Sequence, residues 1–182
     1  SDDRGVRRTL LDLLGGEGGI PVEALLPLMA DPRWYVVRNA VRLAARADHP
    51  ELARYLERSL HHGDVRVRRE VVRSLNAVAA PRSLPLLIGA MRDEDSSVRI
   101  LALRGLAKCG TRRELPLVKA DLKVRGLEAR SVEEVEAVLG ALARLGGEEA
   151  FDTLNRLWRR RWFGSRPPMV RLAALRALGT VA

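Results

Sequence analysis

One short pattern recurs six times along this chain, at intervals of 30, 31, 31, 37 and 35 residues. Each copy opens on a valine: Val6, Val36, Val67, Val98, Val135 and Val170. Apolar or small residues return four, five and eight positions later, as Leu10-Leu11-Leu14, Ala40-Val41-Ala44, Val71-Val72-Leu75, Ala102-Leu103-Leu106, Leu139-Gly140-Ala143 and Ala174-Leu175-Leu178. That spacing draws one wide apolar stripe along a helix. A repeat of this length holds a pair of short helices, and such a pair cannot bury its apolar faces alone. Stacking the pairs buries them, so the period itself predicts an all-α array of repeats.

The template copy is Asp93 to Leu106, where an acidic turn precedes the helix. Arginine follows the valine at Arg7, Arg68, Arg99 and Arg171, while Val37 and Glu136 take that place in the second and fifth copies. Val37-Arg38 is thus an alternative anchor for the second. Between these B helices run shorter A-helix patterns: Leu26-Pro27-Leu28, Leu84-Pro85-Leu86 and Leu115-Pro116-Leu117, with Arg54-Tyr55-Leu56 and Asp152-Thr153-Leu154 in the equivalent places. The prolines fit a first helical turn, where a missing N–H costs nothing. Pro21, Pro50 and Pro81 break the chain before A helices, and Gly15-Gly16, Gly110 and Gly146-Gly147 end B helices. The two longer intervals place insertions around Lys119 to Ser131 and Arg159 to Pro168, both between an A helix and its B helix.

Composition agrees with aliphatic packing: 47% of residues are hydrophobic but only 4% aromatic. The single cysteine, Cys109, excludes an internal disulfide and fits a reducing, cytoplasmic setting. No apolar run reaches the roughly 20 residues that span a bilayer, so no membrane partner is expected. The chain opens on Ser1 without a signal-peptide pattern and is expected to be a piece of a longer protein, its 182 residues forming a single repeat domain. The net charge of +9 is uneven. Thr153 to Ala182 holds seven arginines and no acid, and an acidic segment from Glu128 to Asp152 precedes it. Neighbouring helices of opposite sign are therefore expected to neutralise each other in part.

Asp93 with Val98-Arg99 and Ala102 to Leu106, the Asp31-Pro32 turn with Ala40-Val41, and the Leu-Pro A helices together resemble the HEAT-repeat family. The likeness is closest to short bacterial HEAT-like repeats first noted in phycobilin lyases, and it extends over nearly the whole chain. It implies a right-handed α-α superhelix, a solenoid of about five helix pairs, with B helices lining the concave side. It also implies that Arg7, Arg68, Arg99 and Arg171 are structural, pairing with turn carboxylates such as Asp31, Asp64, Asp93 or Asp95.

Stacking brings equal positions into columns, so Arg38, Arg42, Arg69, Arg73 and Arg104 are expected to form a basic strip on the B helices. Guanidinium groups grip paired oxygens in a fork, which suits phosphates and acidic peptides. The alternative is a solvated face laced with ion pairs. A second candidate is the basic and aromatic stretch Arg159, Arg160, Arg161 and Trp162, either a docking edge or, for its tryptophan, a packing plug. Trp34 and Tyr35 are read as sealing the edge between repeats. His61-His62 reads as a surface turn standing where other copies carry Asp, and is too poor in ligands for a metal. Cys109 reads as a small buried thiol.

No phosphate-binding glycine motif and no nucleophile with its base stands out. The sequence therefore points to a non-catalytic scaffold without cofactor or metal, whose partner is another protein or another domain of the parent chain. Nucleic acid or another polyanion is the alternative, and a chromophore lyase is a third reading that rests on the repeat alone.

Overall fold

A computed structural model of the chain describes residues 21–45, 52–78, 81–127, 130–159 and 168–179. The first repeat copy, including Val6, Arg7 and Gly15-Gly16, lies outside them, as do Pro50 and Arg160 to Trp162. The described residues hold no strand, two short 3-10 turns, Pro81–Ser83 and Arg112–Glu114, and ten α-helices. They are α1 (Val22–Met29), α2 (Trp34–Ala44), α3 (Leu52–Leu60), α4 (Val65–Val78), α5 (Leu84–Ala90), α6 (Ser96–Cys109), α7 (Leu115–Arg125), α8 (Val132–Gly146), α9 (Glu148–Arg159) and α10 (Pro168–Leu178). They fall into five A–B pairs in chain order, in two compact units, Ser1–Val78 and Ala79–Ala182.

In the first unit α1 packs on α2, α3 on α4, and the two B helices α2 and α4 lie against each other. The predicted stripe is the core: Val36, Ala40, Val41 and Ala44 of α2, and Val67, Val71, Val72 and Leu75 of α4, are all buried. Leu25 and Leu56 close it from the A helices. The stripe also settles the second register. Val36 lies 31 residues before Val67, and Val37 is buried where Arg68 stands in the next copy, whereas Arg38 is only half-buried.

In the second unit α8 is the central element. It packs on α6, α7, α9 and α10, and Val135, Val138, Leu139, Leu142 and Leu145 are buried around it. The α6 stripe of Val98, Ala102, Leu103 and Leu106 is buried as the template predicts. In the sixth copy the stripe departs from the reading. Among the α10 residues whose burial is described, Ala173 and Ala177 are buried, while Leu175 is 44% exposed and Leu172 43%. Ala173 and Ala177, one turn apart, mark the face of α10 that packs on α8 and α9, and Leu172 and Leu175 lie off it.

The helix ends follow local chemistry. Asp95 caps α6 by accepting from the amides of Ser97 at 2.9 Å and Val98 at 3.3 Å. Ser131 caps α8 through the Glu134 amide. Thr111 and Glu114 form a reciprocal capping box ahead of α7. Pro85 and Pro116 stand in first turns as expected, but Pro27 lies well inside α1. It is exposed there, on a helix of only 8 residues. Gly147 ends α8 at φ 48, a conformation that side chains resist. Gly110 ends α6 for a different reason. A Cβ there would lie 2.5 Å from the Leu106 carbonyl oxygen and 2.9 Å from Leu145 Cδ2.

Candidate functional site

Four of the predicted arginines share one unit. Arg38 and Arg42 lie one turn apart on α2, and Arg69 and Arg73 occupy the equivalent places on α4, which packs beside it. The stripe residues between them point into the core, so this face of both helices turns outward. Arg42 is exposed and has no hydrogen-bond or ion-pair partner among the described residues. Arg73 is also exposed, with its guanidinium 3.3 Å from the Glu70 carboxylate one turn earlier. Arg38 donates to the Asn39 side-chain oxygen at 3.2 Å and lies 5.3 Å from the Trp34 ring centre. Arg104 is exposed on α6, in the second unit. At equivalent places on later B helices, Ala137 and Ala141 are buried, and Arg176 pairs with Glu136 at 3.0 Å. Arg159 is the last residue of α9, its side chain outside the described residues along with the whole of Arg160, Arg161 and Trp162.

Trp34 has its predicted sealing role. The Arg66 guanidinium, from the next repeat, lies 3.4 Å from its ring centre, and Tyr35 meets it edge-on at 5.9 Å. Arg66 is held in turn by Asp64, which accepts from its amide, its Nε and its terminal nitrogen at 2.7–3.0 Å. Asp31 grips Arg33 in the same three-point way at 2.8–2.9 Å. The side-chain hydrogen bonds from these arginines hold Asp31 and Asp64 at about 2, down from 3.8.

These clamps correct one expectation. Asp31 and Asp64 bind Arg33 and Arg66, not the arginine of the Val-Arg pair. Arg68 and Arg99 are buried, and each donates to the carbonyls of its own A–B turn. Arg68 reaches His62 and Gly63 at 2.9 and 3.2 Å, and Arg99 reaches Asp93 and Glu94 at 3.0 and 2.7 Å. The short turn leaves its carbonyls pointing back along the helix start, within a guanidinium's reach. His62 stands in for aspartate, as read. Its Nδ1 accepts from the Asp64 amide at 2.9 Å, just as Asp93 accepts from Asp95 at 2.9 Å and Asp31 from Arg33 at 2.8 Å. Cys109 is half-buried and donates to the Gly105 carbonyl at 3.1 Å, and desolvation raises its thiol.

A buried charge network escaped the sequence reading. Arg99 forks onto Glu134 with contacts of 2.8 and 2.7 Å, from α6 to α8. Glu134 also accepts from Arg130 at 2.7 Å, and Arg130 reaches Asp121 at 2.5 Å and the Gly126 carbonyl at 2.8 Å. Two cations face two anions, with Glu134 fully buried. Glu134 was visible only as one acid in an acidic segment, and nothing in the chain marked Arg130 or Asp121 as its companions. The network joins one repeat to the next around a fully buried Glu134, so it is structural. The Arg176–Glu136 pair joins the basic and acidic segments as expected, while Glu149 pairs instead with Lys119 at 2.5 Å and Arg112 at 3.0 Å.

No described helix is long and apolar enough to cross a membrane, and the described residues hold no group of three metal-ligating side chains.

The geometry has counterparts. A family model described as HEAT repeats matches residues 22–107 and, overlapping them, 60–135. The structure is similar to that of the complex of CpcE and CpcF of phycocyanin lyase from Nostoc sp. PCC7120, with TM-score 0.68 and 20% identity over 92% of this chain and 68% of that one. It is also similar to the crystal structure of an engineered protein, with TM-score 0.54 and 17% identity over 100% of this chain and 91% of the other. At such identities the likeness is one of fold. No curated protein matches the sequence.

Proposed function

Because this chain belongs to the HEAT-repeat family, which matches more than half of its length, we propose that it is a non-catalytic scaffold that grips a protein partner with the exposed face of its B helices. The partner is a separate protein or another domain of the parent chain. The observation that carries this reading is the pairing of Arg42 and Arg73 at equivalent places on two adjacent B helices, both exposed, with Arg42 unneutralised among the described residues. A stable fold gains little from solvated cations so placed, whereas a partner surface gains forked hydrogen bonds.

The test is partner capture by the intact chain and by Arg42→Glu/Arg73→Glu, with circular dichroism confirming the fold of both. Capture should be lost in the double variant. Capture that survives the reversal overturns the reading, as does turnover of a substrate that depends on this face.

The nucleic-acid alternative has less support. Base recognition by a strip of this kind leans on free aromatic faces, and the Trp34 ring is covered by Arg66. Duplex binding would weaken with salt by a log–log slope of about −0.9 per neutralised phosphate, which tells it from a protein interface. The chromophore-lyase reading rests on fold alone, and an unchanged absorption spectrum on titration with a bilin removes it. A cytoplasmic setting, with Cys109 reduced, belongs to the same proposal.

A further inference from the structure

We infer that the α2–α4 arginine face takes an acidic helical segment whose carboxylates repeat every seventh residue. The inference rests on the scaffold reading and adds the partner's chemistry and register. Arg42 and Arg73 are equivalent residues on two B helices packed side by side. Packed helix axes lie about 8–10 Å apart. On a helix crossing both, seven residues advance about 10.5 Å and nearly complete two turns, so residues seven apart share a face at the matching distance. Arg38 and Arg69 flank the pair one turn earlier along the same helices, adding positive potential on one side of the row.

A carboxylate-bearing protein segment is favoured over a polyphosphate by what surrounds the row. The Trp34 ring that a base would stack on is occupied by Arg66 at 3.4 Å. Glu70, beside Arg73 at 3.3 Å, would repel a continuous line of phosphates. A discrete carboxylate can instead displace Glu70 as the partner of Arg73.

The experiment measures anisotropy of two labelled helical peptides of identical composition against the intact chain. One carries its glutamates seven residues apart, the other five apart, which turns them to different faces of the helix. A labelled duplex oligonucleotide is the third probe. The seven-spaced peptide should bind at least about tenfold more tightly than its isomer, as forked Arg–carboxylate pairing demands registered partners. Arg42→Glu/Arg73→Glu and the milder Arg42→Gln/Arg73→Gln should each abolish the preference. Glu70→Gln, which frees Arg73, should strengthen binding severalfold, a response that a merely structural role for Glu70 would not produce.

Equal affinity for the two isomers overturns the inference, and so does tighter binding of the oligonucleotide than of either peptide. The two readings fail separately. Partner capture that is lost on charge reversal, with isomers bound alike, removes the acidic register and leaves the scaffold standing. Partner capture indifferent to the reversal removes both.

Discussion

At the scale of single residues, the turns before the B helices are where one chemical role is filled in different ways. Asp31, His62 and Asp93 sit 31 residues apart and each accepts a hydrogen bond from the amide two residues on. Imidazole is the weakest of these acceptors, because it accepts as a neutral ring whereas the aspartates accept as charged carboxylates. His62→Asp should therefore stabilise the first unit by up to about 1 kcal/mol, in line with other turn and cap acceptors. Urea unfolding of the two proteins should show the gain. The Asp31 and Asp64 carboxyls sit at about 2 because Arg33 and Arg66 hydrogen-bond the ionised form. A depressed folded-state value means that their contribution is fully present above the unfolded value of 3.8 and is lost as pH falls through about 2. Carbon-detected NMR titration of the two carboxyls should place both midpoints well below those of the free side chain. Arg33→Ala and Arg66→Ala should return them toward it.

At the scale of elements, the α6–α8 contact depends on a charge balance that a sequence pattern does not express. Glu134 serves Arg99 and Arg130 together inside the protein. Removing it leaves two buried cations with one fewer anion, so Glu134→Ala should cost about 3–5 kcal/mol in denaturant unfolding. Replacing Arg99 and Glu134 together by Met and Leu should cost much less, since no charge of that pair is then stranded. If the double replacement costs as much as the single one, the network contributes through shape rather than charge. Gly110 makes a steric counterpart. Gly110→Ala would press a methyl on the Leu106 carbonyl and on Leu145, and should destabilise the second unit, whereas Gly89→Ala, with nothing within 4 Å, should not.

At the scale of the whole molecule, the repeat makes energetics local. Leu103 and Leu106 are buried in the second unit. Leu103→Ala should cost about 2–5 kcal/mol. Contacts in a repeat array run mainly between neighbours, so hydrogen exchange should quicken in α5–α8 and hold steady in α1–α3. Uniform loss of protection would instead mark one cooperative core. The arginine face follows the same logic. Charge reversal at Arg42 and Arg73 should remove binding while leaving the melting temperature nearly unchanged, because neither side chain is buried.

Helix pairing, the valine-led stripe and the turn role of His62 were legible along the chain, because each depends on residues within one turn or on a period that repeats in register. The outward arginines were legible for the same reason, once the stripe identified the face opposite them. What only the tertiary structure decided is which charges meet. Arg99 and Glu134 lie 35 residues apart, Arg176 and Glu136 lie 40 apart, and Arg66 reaches Trp34 from the next repeat. An ion pair or a stacked ring forms at a distance set by how two helices pack, and helical period fixes the facing of a side chain without naming its partner. The departure at α10 has the same origin. Leucine and alanine read alike in an apolar stripe, and which of them faces inward is set by how α10 packs on α8 and α9.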